Sequence, residues 1–199
     1  MKDAKISAQK LNFIIAVCAI LISAASFYAT YLQADAANKQ VKAMTLPLLQ
    51  FGSGNWDEVE KQNKLTFAFS NVGAGAAMIK NVNYYYRDKK YPSFNKFLEA
   101  CCDPEYGQFL KKAKKTKQDH GVKSAGTVGS PKTRPVENTA LIGENKFFQM
   151  VLTKYNESFW LKLNSERFHL TTEVCFCSLL DNCYISRENG IAKSVEQCL

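Results

Sequence analysis

Six of the seven cysteines, Cys101, Cys102, Cys175, Cys177, Cys183 and Cys198, fall in the second half of the chain. Thiols in such a set can oxidise to disulfides, ligate a thiophilic metal, or stay as small buried side chains. An even number suits a disulfide-bonded domain in an oxidising compartment, and six cysteines allow fifteen pairings that sequence cannot separate. Cys101 and Cys102 are neighbours, so each is expected to bond a distant partner rather than the other. Cys175 and Cys177 alternate along a strand-like run and share one face without facing each other. Tetrahedral zinc sites are built from C-x₂₋₄-C pairs, and no second pair or nearby histidine completes one here. No metal or cofactor is therefore expected.

Other reactive side chains are sparse. His120 follows a lysine run and reads as solvated in a loop, and His169 precedes a strand. Neither accompanies a nucleophile motif such as G-x-S-x-G, and the carboxylates are scattered. Asn71-Val-Gly-Ala-Gly75 has the glycine spacing of a phosphate loop but lacks the G-K-[ST] ending and a following helix. Asn71, Gly73 and Gly75 read as a structural turn, with the glycines free to take positive φ.

The sharpest surface feature is basic. Lys111, Lys112, Lys114, Lys115 and Lys117 crowd one short stretch, near a second basic tip of Arg87, Lys89 and Lys90 beside Tyr84, Tyr85, Tyr86 and Tyr91. Such a surface can contact anionic headgroups or a phosphate-rich envelope component, although lysines more often form a solvated helix face. The formal charge of +8 agrees with an anionic partner. Nucleic acid is not expected on a domain held outside the cytoplasm.

That placement follows from residues 11–34, which contain no Asp, Glu, Lys or Arg. A helix of that length, at about 1.5 Å per residue, crosses a hydrocarbon core of about 30 Å. Apolar character continues beyond the passable cleavage site Ala24-Ala25-Ser26 through Phe27, Tyr28, Tyr31 and Leu32, so an uncleaved anchor is favoured over a signal peptide. Lys2, Lys5 and Lys10 precede the span, which favours a short cytoplasmic tail over 1–10 and an outside C-terminal domain. Residues 35–46 continue as a helical stalk that Pro47 stops. Small residues four apart in the span (Ala19 and Ser23, Ala25 and Ala29, Ser26 and Thr30) permit self-association through it.

The remainder, 47–199, reads as one mainly β domain, an antiparallel β-sandwich with one or two short helical insertions. Leu65–Ser70 alternates apolar and small or polar residues, and Met78–Tyr86 resumes as a second strand. Ser93 caps a short helix presenting Phe94, Phe97, Leu98 and Cys101, and Asp103-Pro104 starts another that runs toward Lys117. Residues 118–135 read as a loop. Strands are expected again over Thr139–Ile142, Phe147–Leu152, Ser158–Leu163 and Leu170–Leu179.

Leu46-Pro47-Leu48-Leu49, Asn71-Val-Gly-Ala-Gly-Ala-Ala-Met-Ile79 and Cys175-Phe-Cys-Ser178 followed by Cys183 resemble segments of a loose group of uncharacterised bacterial single-pass membrane proteins. Their turn has the form N-x-G-x-G-P-A-x-I, and Ala76 stands here in the place of the proline. The resemblance implies an outward-facing β-sandwich domain and no activity. The reading that results is a membrane-anchored, periplasmic or extracellular interaction or sensor module, with a protein partner, of unknown ligand and no catalytic activity. A hydrolase acting on envelope polymers and a minor pilin-like subunit are the alternatives. The second lacks the Gly-Phe cleavage site and the glutamate that such subunits carry.

Overall fold

The computed structural model describes residues 8–120, 131–188 and 190–198, with the backbone alone for Ala8 and 115–120. The chain divides into two compact units, the first ending at Met44 and the second beginning at Thr45.

The first unit is a single helix, α1 (Ala8–Met44), 37 residues long, so the expected span and stalk form one continuous element. It is the one helix among the described residues long and apolar enough to cross a membrane. Past the apolar stretch an Asp35–Lys39 ion pair of 2.7 Å, four residues apart, supports the polar turns. The helix ends three residues before Pro47, whose ring disfavours helix in the residue before it.

The second unit is an antiparallel β-sheet domain with short helices. In chain order its elements are β1 (Leu49–Asp57), β2 (Gln62–Asn71), β3 (Ala77–Tyr86), β4 (Lys89–Tyr91), α2 (Phe94–Cys102), α3 (Glu105–His120), β5 (Lys132–Thr133) and β6 (Thr139–Leu141). They continue with β7 (Glu144–Val151), α4 (Glu157–Glu166), a 3-10 turn (Arg167–His169), β8 (Leu170–Cys177), β9 (Cys183–Arg187) and β10 (Lys193–Val195). One sheet runs β1-β2-β7-β5, and the other runs β10-β9-β8-β3-β4 with β6 also paired to β3.

Alternation decides which faces are buried. Leu65, Phe67 and Phe69 on β2, two residues apart, are all fully buried. They meet Phe147, Phe148 and Met150 of β7 and Ile79, Val82 and Tyr84 of β3 in one core. Phe94 of α2 sits edge-on to Phe67 at 5.0 Å and to Phe147 at 5.2 Å, so the helix plugs the aromatic cluster. Burying each such ring contributes about 1.5–3 kcal/mol. Helix α2 begins where Ser93 accepts a hydrogen bond from the Lys96 N–H, and α3 where Asp103 Oδ1 accepts one from Gly107 N–H at 3.1 Å.

Two expectations fail. The segment Ser158–Leu163 is not a strand but the body of α4. Phe159, Trp160 and Leu163 are buried at a spacing that lines one side of a helix, and the Trp160 ring nitrogen donates to Met150 O at 3.2 Å. With α4 the domain has three α-helices among the described residues rather than one or two. The second failure is at 118–135. Helix α3 continues to His120 and β5 occupies 132–133, so the segment is loop only at 131 and 134–135 among its described residues; residues 121–130 lie outside them.

Candidate functional site

The two sheets end in short strands, β4 and β5, and the space between these edges is a groove of about 450 Å³. Its floor is the exposed margin of the aromatic core, formed by Tyr84, Phe94 and Phe147. Tyr84 and Phe94 lie 5.6 Å apart between ring centres. Its polar rim comes from Ser93 and Asn95 at the start of α2 and from Arg134, Glu137 and Asn138 in the link between β5 and β6.

That link is irregular but well tied. Arg134 N–H donates to Phe147 O at 2.9 Å, and Asn145 Nδ2 donates to Pro135 O at 3.0 Å. Glu137 Oε1 accepts the Val82 N–H at 3.0 Å, which satisfies a β3 donor beside the groove. Burial pushes the Tyr84 phenol above its usual range, and the nearby Glu137 carboxylate adds to this. The Tyr84 ring forms part of the groove wall. An aromatic floor with an amide, hydroxyl, guanidinium and carboxylate rim fits a ligand with one apolar face and polar edges.

Sequence reasoning read Ser93 as a helix cap and gave no rim residue a functional role. Its single local cue was a run of polar residues around Pro135 ahead of a strand, which reads as ordinary loop chemistry.

The residues singled out from sequence fall elsewhere. The six cysteines form Cys101–Cys102, Cys175–Cys198 and Cys177–Cys183. The adjacent pair thus bonds to itself, contrary to the expectation of distant partners, and both residues are buried at the end of α2. The other two bonds lie side by side, with Cys177 and Cys198 sulfurs 3.9 Å apart. They fasten the β8–β9 turn and the C-terminal segment to β8.

The basic residues do not make one patch. Lys112 borders a recess of about 70 Å³ with Glu105, Lys154 and the start of α4. Lys90 borders a different one of about 290 Å³ with Asn81, Asn83 and Glu173. Lys111, Lys114 and Lys89 are exposed, and the side chains of Lys115 and Lys117 lie outside the described residues. Arg87 is paired with Glu166 at 2.9 Å, which offsets its charge. Tyr84 and Tyr86 are buried, with the Arg87 guanidinium 5.3 Å from the centre of the Tyr86 ring. His169 is exposed in the 3-10 turn, and His120 ends α3 rather than lying in a loop.

Asn71, Gly73 and Gly75 do form a turn, with a reason different from backbone handedness. Neither glycine has positive φ; instead a Cβ on Gly73 would stand 2.4 Å from Leu46 O, and one on Gly75 2.1 Å from Thr45 O. The glycines let the turn lie against the entering segment 45–48. Asn71 locks that contact: its Oδ1 accepts from Leu48 N at 3.1 Å and Gly73 N at 3.0 Å. Its Nδ2 donates to Gly75 O at 2.7 Å and Leu141 O at 2.9 Å.

No family model, curated protein or solved structure matches this chain.

Proposed function

We propose that the protein is a single-pass membrane-anchored module that holds a disulfide-bonded β-sandwich-like domain outside the cytoplasm and binds its ligand in the β4–β5 groove. One observation carries the reading: all six cysteines beyond α1 pair as disulfides, while Cys18 within it stays unpaired. Disulfides persist in oxidising compartments, and α1 supplies an anchor of sufficient length. Binding suits the groove, which sets an aromatic wall beside a polar rim and whose Glu137 is engaged by the backbone of β3. Small residues four apart in the span favour a second copy as a membrane partner. The exposed lysines of α3 suit a transient contact with an anionic envelope component.

Topology and redox state are tested together on intact cells with a membrane-impermeant thiol reagent, applied before and after reduction with an impermeant phosphine. The expected result is labelling of the domain cysteines only after reduction. Ready labelling only after lysis would place the domain in the cytosol and overturn the reading.

A further inference from the structure

The short connections at one end of the two sheets share an unusual composition. Residue pairings fix which connections these are: Leu49 lies opposite Asn71, Ser70 opposite Glu144, Ala77 opposite Leu141, and Cys177 opposite Cys183. The entering segment 45–48, the turn 72–76, the link 142–143 and the turn 178–182 therefore crowd one end of the domain. Asp181 is the one ionisable side chain in those four segments, and Glu144, opposite Ser70, and Glu196, just past Val195 opposite Cys183, border them. The end nonetheless exposes aliphatic tips: Ile142 at 81%, Leu179 at 68%, Val72 at 57%, with Leu180 and Leu48 also exposed.

The opposite end differs in kind. Its turns carry Glu58, Glu60, Lys61, Arg87, Asp88, Lys154, Arg167 and Glu188. Val59 at 91%, Ile191 at 92% and Phe168 at 72% protrude there, but each among charged residues: Val59 between two glutamates and a lysine, Ile191 between Glu188 and Lys193, and Phe168 under the Arg167 guanidinium. A soluble domain has no reason to strip charge from one end and leave the other ordinary. Exposed aliphatics gathered in one place mark a surface that something covers.

We infer that the uncharged end rests on the bilayer that α1 crosses, with Ile142, Val72, Leu179 and Leu180 entering the boundary between headgroups and acyl chains. This rests on the reading of α1 as an uncleaved span. Connectivity selects the bilayer, because the chain enters the domain at this very end, through Thr45, directly after α1. A helix of 37 residues is about 55 Å long against about 40–45 Å for a bilayer with its headgroups. Lipid is thus within about 10–15 Å of the entry point, and helix tilt shortens that further. The composition also favours lipid over a protein: single aliphatics on four separate tips, without the aromatic and arginine anchors on which protein interfaces concentrate their energy.

The test uses the full chain in nanodiscs at one copy per disc, in a Trp56→Phe background that leaves only the buried Trp160. Tryptophan reporters are placed by Ile142→Trp, Leu179→Trp and Val59→Trp, all at exposed positions where a large side chain disturbs no packing. With acyl chains brominated near the headgroup, fluorescence of the first two reporters should fall about twofold or more, and that of the third should hold steady. Quenching no greater at 142 and 179 than at 59 would overturn the inference while leaving the anchor intact. Quenching that appears only with two copies per disc would mean that a single domain does not bring this end to the lipid, and would overturn it equally. A chain that fails to incorporate into discs would remove the anchor, and this inference with it.

Discussion

The two ends of the domain are held together by different physics. At the entry end the ties are neutral: one asparagine amide makes four hydrogen bonds, and two glycines let backbone lie on backbone. At the far end they are ionic. Glu166, nearly buried, accepts from Lys162 at 2.9 Å, from the Tyr86 hydroxyl at 2.7 Å and from Arg87 at 2.9 Å. Lys64 meanwhile bridges Asp57 at 2.8 Å and Glu60 at 3.2 Å. A neutral lock keeps its strength as pH and salt change, whereas an ionic one does not. The segment 45–48, by which the chain enters the domain, is thus tied down by the insensitive kind of contact.

The strongest way to break this contrast is Gly75→Ala. A methyl group 2.1 Å from Thr45 O has nowhere to go, because the obstruction is backbone and Thr45 lies in the segment that feeds β1. Relief requires the turn to lift off 45–48, which also loosens the bonds from Leu48 N and Gly73 N to Asn71. The expected cost is about 3 kcal/mol or more, measured by urea unfolding of the oxidised full chain in micelles. The deficit should be the same at pH 7 and pH 4. A nearly neutral Gly75→Ala would mean that the entering segment is not seated against the turn.

Next in size is Glu166→Gln at the far end. Burial raises the Glu166 carboxyl, but the bonds from Lys162, Tyr86 and Arg87 outweigh it and bring the group down to about 2 from its ordinary 4.5. The same contact, after burial itself, pushes the Tyr86 phenol up to about 12. A depressed carboxyl adds stability that is complete above about pH 4.5 and is lost as pH falls toward 2, since the unfolded chain takes up its proton first. The substitution should cost about 2–3 kcal/mol at pH 7, and the difference from the parent chain should shrink toward zero near pH 2. A gap that stays constant over that range would show that Glu166 contributes by packing and not by charge.

How much of this was legible in the sequence differs between the ends for a physical reason. The Asn71 turn declares itself through glycine spacing, and the alternation of Leu65, Phe67 and Phe69 marks the strand before it. Both are local signals. The role of the glycines was misread because close approach depends on a segment more than twenty residues earlier, which no local pattern encodes. The far end depends on α4, whose run Ser-Phe-Trp-Leu-Lys-Leu satisfies a two-residue and a 3.6-residue period about equally well. Only the anchoring of Asn156 to Thr153 N and Val151 O, both at 2.8 Å, decides in favour of a helix start. The groove was invisible for a similar reason: Phe94 and Arg134 are distant in sequence, and the edges of two sheets bring them together. The cysteine count pointed to a bonded set, yet nothing in the spacing separated the fifteen pairings, and the adjacent Cys101 and Cys102 bond each other.

The smallest expected effect separates the ends most cleanly. Ile142 and Val59 are strongly exposed aliphatic tips at opposite ends, so neither contributes packing within the domain. Replacing either with serine should leave the fold within about 0.5 kcal/mol of the parent when no lipid touches it. In a bilayer the two should diverge, because any surface that binds the folded domain and not the unfolded chain adds to its apparent stability. Half-burying one isoleucine in the lipid boundary contributes up to about 1 kcal/mol. Ile142→Ser should therefore lower the unfolding midpoint of the nanodisc-held chain by a degree or more relative to Val59→Ser, read by the loss of near-ultraviolet circular dichroism. Equal midpoints would mean that the uncharged end faces water, and that its difference from the far end concerns charge alone.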